Sequence, residues 1–110
     1  MDPYKLKKEF LKAMRGLTQT VTVISARDEE NKQAMTATSV ASLSLDPPSM
    51  LVCINLEASI HKVMNEGLGF CINVLSSGQE NLADICSIKG KEEQRFLLPN
   101  WLELDNIPYN

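Results

Sequence analysis

Residues 35–55 read MTATSVASLSLDPPSMLVCIN: a hydroxyl-rich extended segment, a Pro-Pro corner, then an apolar strand. Thr36, Thr38, Ser39, Ser42 and Ser44 are interleaved with Ala, Val and Leu, and no charge intervenes before Asp46. Small residues let a flat ligand approach the backbone, while hydroxyls and free N–H and C=O groups supply the few orienting hydrogen bonds a pocket needs. Taken alone, the pattern suits a half-exposed strand with Ser and Thr on its outward face at least as well. Pro47-Pro48 cannot continue a central ladder, because neither ring has an N–H to donate and each restricts the residue before it. The sheet is expected to turn there. Residues 50–56 (MLVCINL) are then apolar almost throughout, as in a strand buried on both faces, until Asn55 places an amide at its end as a candidate ligand contact.

Upstream, residues 20–26 (TVTVISA) alternate and are β-branched, and the charged run 27–32 reads as a turn. This predicts a hairpin in which the hydroxyl strip lies antiparallel to TVTVISA with one face inward. Asp2-Pro3 is a cap followed by a first-turn proline, and Leu6, Phe10, Leu11 and Met14 share one helical face, so an amphipathic helix should open the chain and end near Gly16. Its lysines read as a solvated face.

Downstream, Ser59 reads as the N-cap of a short helix carrying Ile60, Val63 and Met64 on one side and closing at Gly67. Capping alone explains Ser59. The same helix start could hold a phosphate, with Ser59 as hydroxyl donor and His61 or Lys62 adding charge. Residues 70–75 (FCINVL) predict another strand, whose Asn73 should be satisfied by the neighbouring ladder or a side chain. A helix follows Ser76-Ser77-Gly78, the chain is highly charged from Lys89 to Arg95, and Phe96, Leu97, Leu98 and Trp101 return to the surface of the core.

At 110 residues the chain is one domain, and a formal net charge of −3 with no isolated basic cluster beyond Lys5-Leu6-Lys7-Lys8 argues against nucleic acid. The three cysteines, Cys53, Cys71 and Cys86, lie in apolar contexts and read as buried free thiols in a reducing compartment. With one histidine no zinc site is expected. The N-terminus has no signal-peptide core, and no apolar run approaches the ~18 residues that cross a bilayer, so the cytoplasm is the expected location. Neither a Rossmann glycine fingerprint nor a Walker A loop is present. No nucleophile–histidine–acid set can be argued either, so no catalytic side chain is assigned and a cofactor would have to supply the chemistry.

The ordered set TVTVIS, charged turn, MTATSVASLSLDPPSMLVCIN, ASIHK, GFCINVLS, a QENLAD helix and RF at 95–96 resembles the flavin reductase-like family from Phe10 to Trp101. The resemblance implies a mainly β (α+β) domain with the FMN-binding split β-barrel fold, occupying residues 1–110. It also implies that Thr36, Ala37, Thr38 and Ser39 wrap the flavin, that Cys53, Ile54 and Asn55 lie by its ring, and that Ser59 and His61 reach its phosphate. FMN is the implied cofactor, with FAD as an option and NADH or NADPH as co-substrate; a homodimer and a partner monooxygenase are the implied associations. An FMN-binding electron carrier, a ferric reductase and a cofactor-free structural or interaction domain remain the alternatives.

Family members often carry Asn where this chain has Thr38, and Thr where it has Ile60; the second change removes a hydroxyl from the implied phosphate end. They also usually run to ~150 residues or more, with strands after the segment matching Trp101-Leu102 that close the barrel and contribute to the nicotinamide side. The chain is therefore expected to be a fragment, or a shortened relative whose open edges a partner subunit covers.

Overall fold

Thr22, Val23, Ile24 and Ser25 are at most 2% exposed, because their strand is the middle of an antiparallel three-stranded sheet. β1 (Thr22–Arg27) lies between β2 (Lys32–Ala37) and β5 (Phe70–Val74), with Ile24 opposite Met35 on one side and Ile72 on the other. Strand alternation sends Ile24 and Ala26 to one face and Val23 to the other. On the first face they pack with Ala37, Ile60 and Val63, the last two from α2 (Ser59–Asn65); on the second, Val23 packs with Ala34, Leu82 and Cys86, the last two from α3 (Glu80–Ser87). The computed structural model describes residues 2–17, 20–65 and 69–110, so Gly67, the expected end of α2, lies outside the described residues.

The hydroxyl strip does not run as one arm beside β1. Thr36 and Ala37 end β2, residues 38–39 leave the sheet, and β3 (Val40–Leu45) pairs instead with β4 (Pro48–Val52) in a separate two-stranded ladder. The cause is length: β1 begins at Thr22 opposite Ala37, where the Thr22 hydroxyl donates to Ala37 O (2.7 Å), and offers no partner further along. The chain does turn at the prolines, Asp46–Pro47 being cis and Pro48 opening β4, where a missing donor is tolerated.

Composition predicts that residues 50–56 form a strand buried on both faces, but the doubly covered strand is β1. In β4, Met50 is 53% and Leu51 50% exposed, and residues 53–55 lie beyond the strand. A run of apolar residues encodes a need for cover; it does not say which element supplies it. Of the cysteines expected to be buried, Cys86 is buried, Cys71 is half-buried and Cys53 is exposed because it sits past the end of β4; all three are free thiols.

α1 (Pro3–Met14) begins as expected, with Asp2 Oδ1 accepting from Lys5 N–H (3.0 Å) and Pro3 in the first turn. Its apolar face is exposed, Leu6 and Phe10 each at 57%. After α3 come a 3₁₀ helix, Glu92–Leu97, and a hairpin of β6 (Leu102–Leu104) and β7 (Ile107–Tyr109). Asp105 and Asn106 make its turn at φ of 50° and 68°, the conformation that lets a two-residue turn follow strand twist. β7 packs on β1 and β5. There Asn73 Nδ2 donates to Val23 O (2.7 Å) and Ser25 Oγ (2.9 Å), the Ser25 hydroxyl donates to Pro108 O, and Asn73 Oδ1 accepts from Asn110 N–H (2.9 Å). The amide in the apolar strand is thus satisfied by a ladder carbonyl, a side chain and the last residue of the chain.

Candidate functional site

Where β4 ends, the chain must turn through residues 53–58 to start α2, and its polar side chains serve that turn first. Asn55 Oδ1 accepts from Glu57 N–H (2.8 Å) and Asn55 O accepts from Ala58 N–H (3.0 Å), a side-chain-closed turn that hands the chain to α2. With its oxygen committed, Asn55 offers a ligand its amide nitrogen. Cys53 N–H donates to Ser39 O (3.1 Å), which ties the turn to the gap between β2 and β3 and brings exposed Thr38 and Ser39 beside Cys53. Ile54 points the other way, onto the cluster around Ile24 and Ile60.

Asn55 and Ser59 line a cleft of about 340 Å³ between the start of α2 and the C-terminal end of α3, with Met35 and Ile60 as apolar wall and Ser87, Lys89, Glu92 and Arg95 on the far side. The Ser59 hydroxyl is aimed across it at Glu92 Oε1 (3.4 Å). Glu92 Oε1 also accepts from Gly90 N–H (3.3 Å), and hydrogen bonds from its own backbone and from Gly90 hold its carboxyl below the usual range. Arg95 is 6% exposed, and its guanidinium donates to Ile85 O (3.2 Å), Ile88 O (2.9 Å) and Ala34 O. All three of its nitrogens thus hold the fold together; Lys89 is the cation lining the cleft whose side chain makes no such bond to the described residues. Burial pushes the Cys86 thiol up to about 11, with the Arg95 charge lowering it in part, so this thiol in the cleft wall is protonated and unreactive near neutrality.

Of the residues singled out from sequence, Asn55 and Ser59 enter the cleft, and Thr38, Ser39 and Cys53 gather at the adjoining surface. Thr36 and Ala37 do not face it with side chains: the Thr36 hydroxyl donates to Ala83 O (2.6 Å) and anchors α3, and Ala37 is in the core. His61 is half-buried on α2 and is not among the residues lining the cleft. Sequence reasoning missed Lys89, Glu92 and Arg95, which look like part of a solvated charged run. The available signal was Arg95 directly before Phe96-Leu97-Leu98, a cation at the start of an apolar return to the core.

The family described as "Flavin reductase like domain" matches residues 14–106. The chain is 37% identical over 108 residues to the reductase component of an FADH(2)-dependent resorcinol hydroxylase from Rhizobium sp. (strain MTP-10005), covering 96% of this chain and 60% of that protein. It is 35% identical over 92 residues to the FMN reductase (NADH) RutF of Pseudomonas syringae pv. syringae, covering 84% and 52%. The chain thus spans somewhat over half the length of these relatives. Among solved structures it resembles a nitrilotriacetate monooxygenase component B homologue from Mycobacterium thermoresistibile (TM-score 0.87, 25% identity, 98% of this chain and 60% of that one). It also resembles the NADH:FAD oxidoreductase SgcE6 of Streptomyces globisporus C-1027 (TM-score 0.77, 29% identity, 93% and 60%). The strand-dominated α+β architecture read from the sequence is the fold of these proteins, although among the described residues the strands form three separate ladders and close no barrel.

Proposed function

This chain belongs to the flavin reductase-like family, and on that premise we propose that it binds FMN and works as a flavin oxidoreductase, using NADH or NADPH to reduce flavin for a partner oxygenase. The observation that carries the reading is the family match over residues 14–106, which takes in both the hydroxyl strip and the cleft. Part of the lining fits the cofactor: Met35 and Ile60 supply an apolar wall, and the Asn55 amide, the Ser59 hydroxyl and the Lys89 ammonium supply a few placed donors. When bound, flavin supplies the redox chemistry by taking a hydride from the nicotinamide nucleotide. The chain's own groups bind and orient. Thr38, Ser39 and Cys53 would lie against the ring and Asn55 beside its polar edge; Thr36, Ala37 and Ile54, whose side chains are turned to other elements, would contribute backbone, and Ser59 would serve the phosphate end, with His61 close behind it on α2. FAD fits the same reading, since one relative is named for FMN and one solved neighbour for FAD. Among the described residues no helix is long and apolar enough to cross a membrane, and a cytoplasmic setting suits a protein with three free thiols and a need for NADH.

The test is a fluorescence titration of FMN with the purified chain, beside iodoacetamide labelling of Cys53. We expect quenching at micromolar FMN, slower Cys53 labelling when FMN is present, and FMN-dependent NADH oxidation of ~1 s⁻¹ or more. Binding without turnover would favour an electron carrier, and no binding would favour a cofactor-free domain.

The same reading includes a homodimer. Leu43 and Leu45 on the β3–β4 hairpin are 68% and 89% exposed, next to half-exposed Met50 and Leu51, an apolar surface that a second subunit would cover. Light scattering should give twice the chain mass, and a monomer mass well above micromolar concentration with flavin bound would rule the dimer out.

A further inference from the structure

Glu92 is the carboxylate that reaches across the cleft to a candidate flavin contact. One of its oxygens accepts from the Ser59 hydroxyl (3.4 Å) and from the Gly90 backbone N–H (3.3 Å). A hydroxyl and an N–H converging on one anionic oxygen are the donors that a phosphate oxygen would use in the same place. The charges lining the cleft around it are Lys89, Arg95 and the second carboxylate, Glu57. Each of the three Arg95 nitrogens already donates to a backbone carbonyl, so of the two cations Lys89 is the one whose side chain makes no hydrogen bond to the described residues.

We propose that Glu92 is a built-in competitor for the phosphate end of the flavin and sets how strongly the site discriminates phosphorylated from unphosphorylated flavins. The proposal rests on the flavin reading above. Before a phosphate can take the Ser59 and Gly90 donors, the carboxylate must swing off them, and the two negative groups then share one small cleft. Riboflavin makes neither demand. The carboxylate therefore costs FMN affinity and leaves riboflavin affinity alone, holding the site toward looser binding of a cofactor that a reductase must hand on.

The experiment is a pair of titrations, FMN and riboflavin, on the intact chain and on Glu92→Asp, Glu92→Gln and Glu92→Lys. Glu92 sits partly exposed on the 3₁₀ helix, so these changes leave the core untouched. The ratio of riboflavin Kd to FMN Kd should rise roughly fivefold to tenfold in Glu92→Gln, as expected for removing one like charge near a protein surface. It should rise further in Glu92→Lys and stay within about twofold of the parent in Glu92→Asp, and the gain should shrink in high salt. An unchanged ratio in both Gln and Lys variants, with both flavins still bound, would overturn this inference and leave the flavin site standing. So would a selective loss of FMN binding, which would make Glu92 a support of the site. A parent chain that binds neither flavin would overturn the flavin reading and this inference together.

Discussion

Replacing Arg95 with methionine should destabilise the fold by about 3–5 kcal/mol, since three carbonyl groups lose a charged donor and each buried acceptor left unpaired costs about 1–3 kcal/mol. Ala34 O and Ile85 O depend on the guanidinium most, whereas Ile88 O also accepts from Lys91 N–H (3.4 Å). β2 is an edge of the three-stranded sheet, so Ala34 O has no further strand to meet, and Ile85 O lies at the C-terminal end of α3, where helical carbonyls run out of partners. One guanidinium covers both gaps, and Arg95 O in turn accepts from Trp101 Nε1–H (2.9 Å). In a chain of this length the loss should lower Tm by roughly 10–25 °C, read by circular dichroism melting or urea unfolding. Arg95→Lys should recover only part of it, because an ammonium on a flexible stem lacks the planar fork that meets several acceptors at once. A cost below about 1 kcal/mol for the methionine variant would mean that water replaces the guanidinium at all three carbonyls.

Asn73→Leu should cost about 2–4 kcal/mol, despite adding apolar surface to an apolar strand, because it strips partners from buried groups on two other segments. Val23 O keeps its place in β1 but loses the Asn73 donor, Ser25 loses the amide that donates to its hydroxyl, and Asn110 N–H loses its acceptor. Ser25→Ala breaks the same network from the other side, removing the hydroxyl that reaches Pro108 O. The double variant should therefore be less damaging than the sum of the two, by roughly 0.5–3 kcal/mol in a double-mutant cycle. Strict additivity would show that the two side chains act independently and that β7 is held by packing alone.

Elements specified by neighbours in sequence were legible. Asp2-Pro3 starts α1, the alternation of TVTVIS makes β1, Pro47-Pro48 turns the chain, and the apolar side of residues 59–64 makes α2. The β6–β7 hairpin was missed although its signal was local: Asp105-Asn106 is a dipeptide that tolerates positive φ, set between Leu-Glu-Leu and Ile-Pro-Tyr. Of the site, Asn55 and Ser59 could be named because a strand end and a helix start are local features. Their partners could not. Ser59 looks to Glu92 across 33 positions of chain and Arg95 reaches Ala34 across 61.

By itself the sequence determined where α1, β1, the proline turn and α2 lie, and the family to which the ordered set of motifs belongs, because cap chemistry, ring constraints and period-two alternation act over a few residues. The tertiary structure decided which strand is buried on both faces, where the hydroxyl strip divides, and that Arg95 belongs to the interior while Glu92 faces the cleft. In the run KGKEEQR the local mark of burial is slight, no more than the apolar residues that follow Arg95. Which residue is buried depends on where unsatisfied carbonyls from β2 and α3 come to lie, and burial of a guanidinium is favourable only once those acceptors are in place.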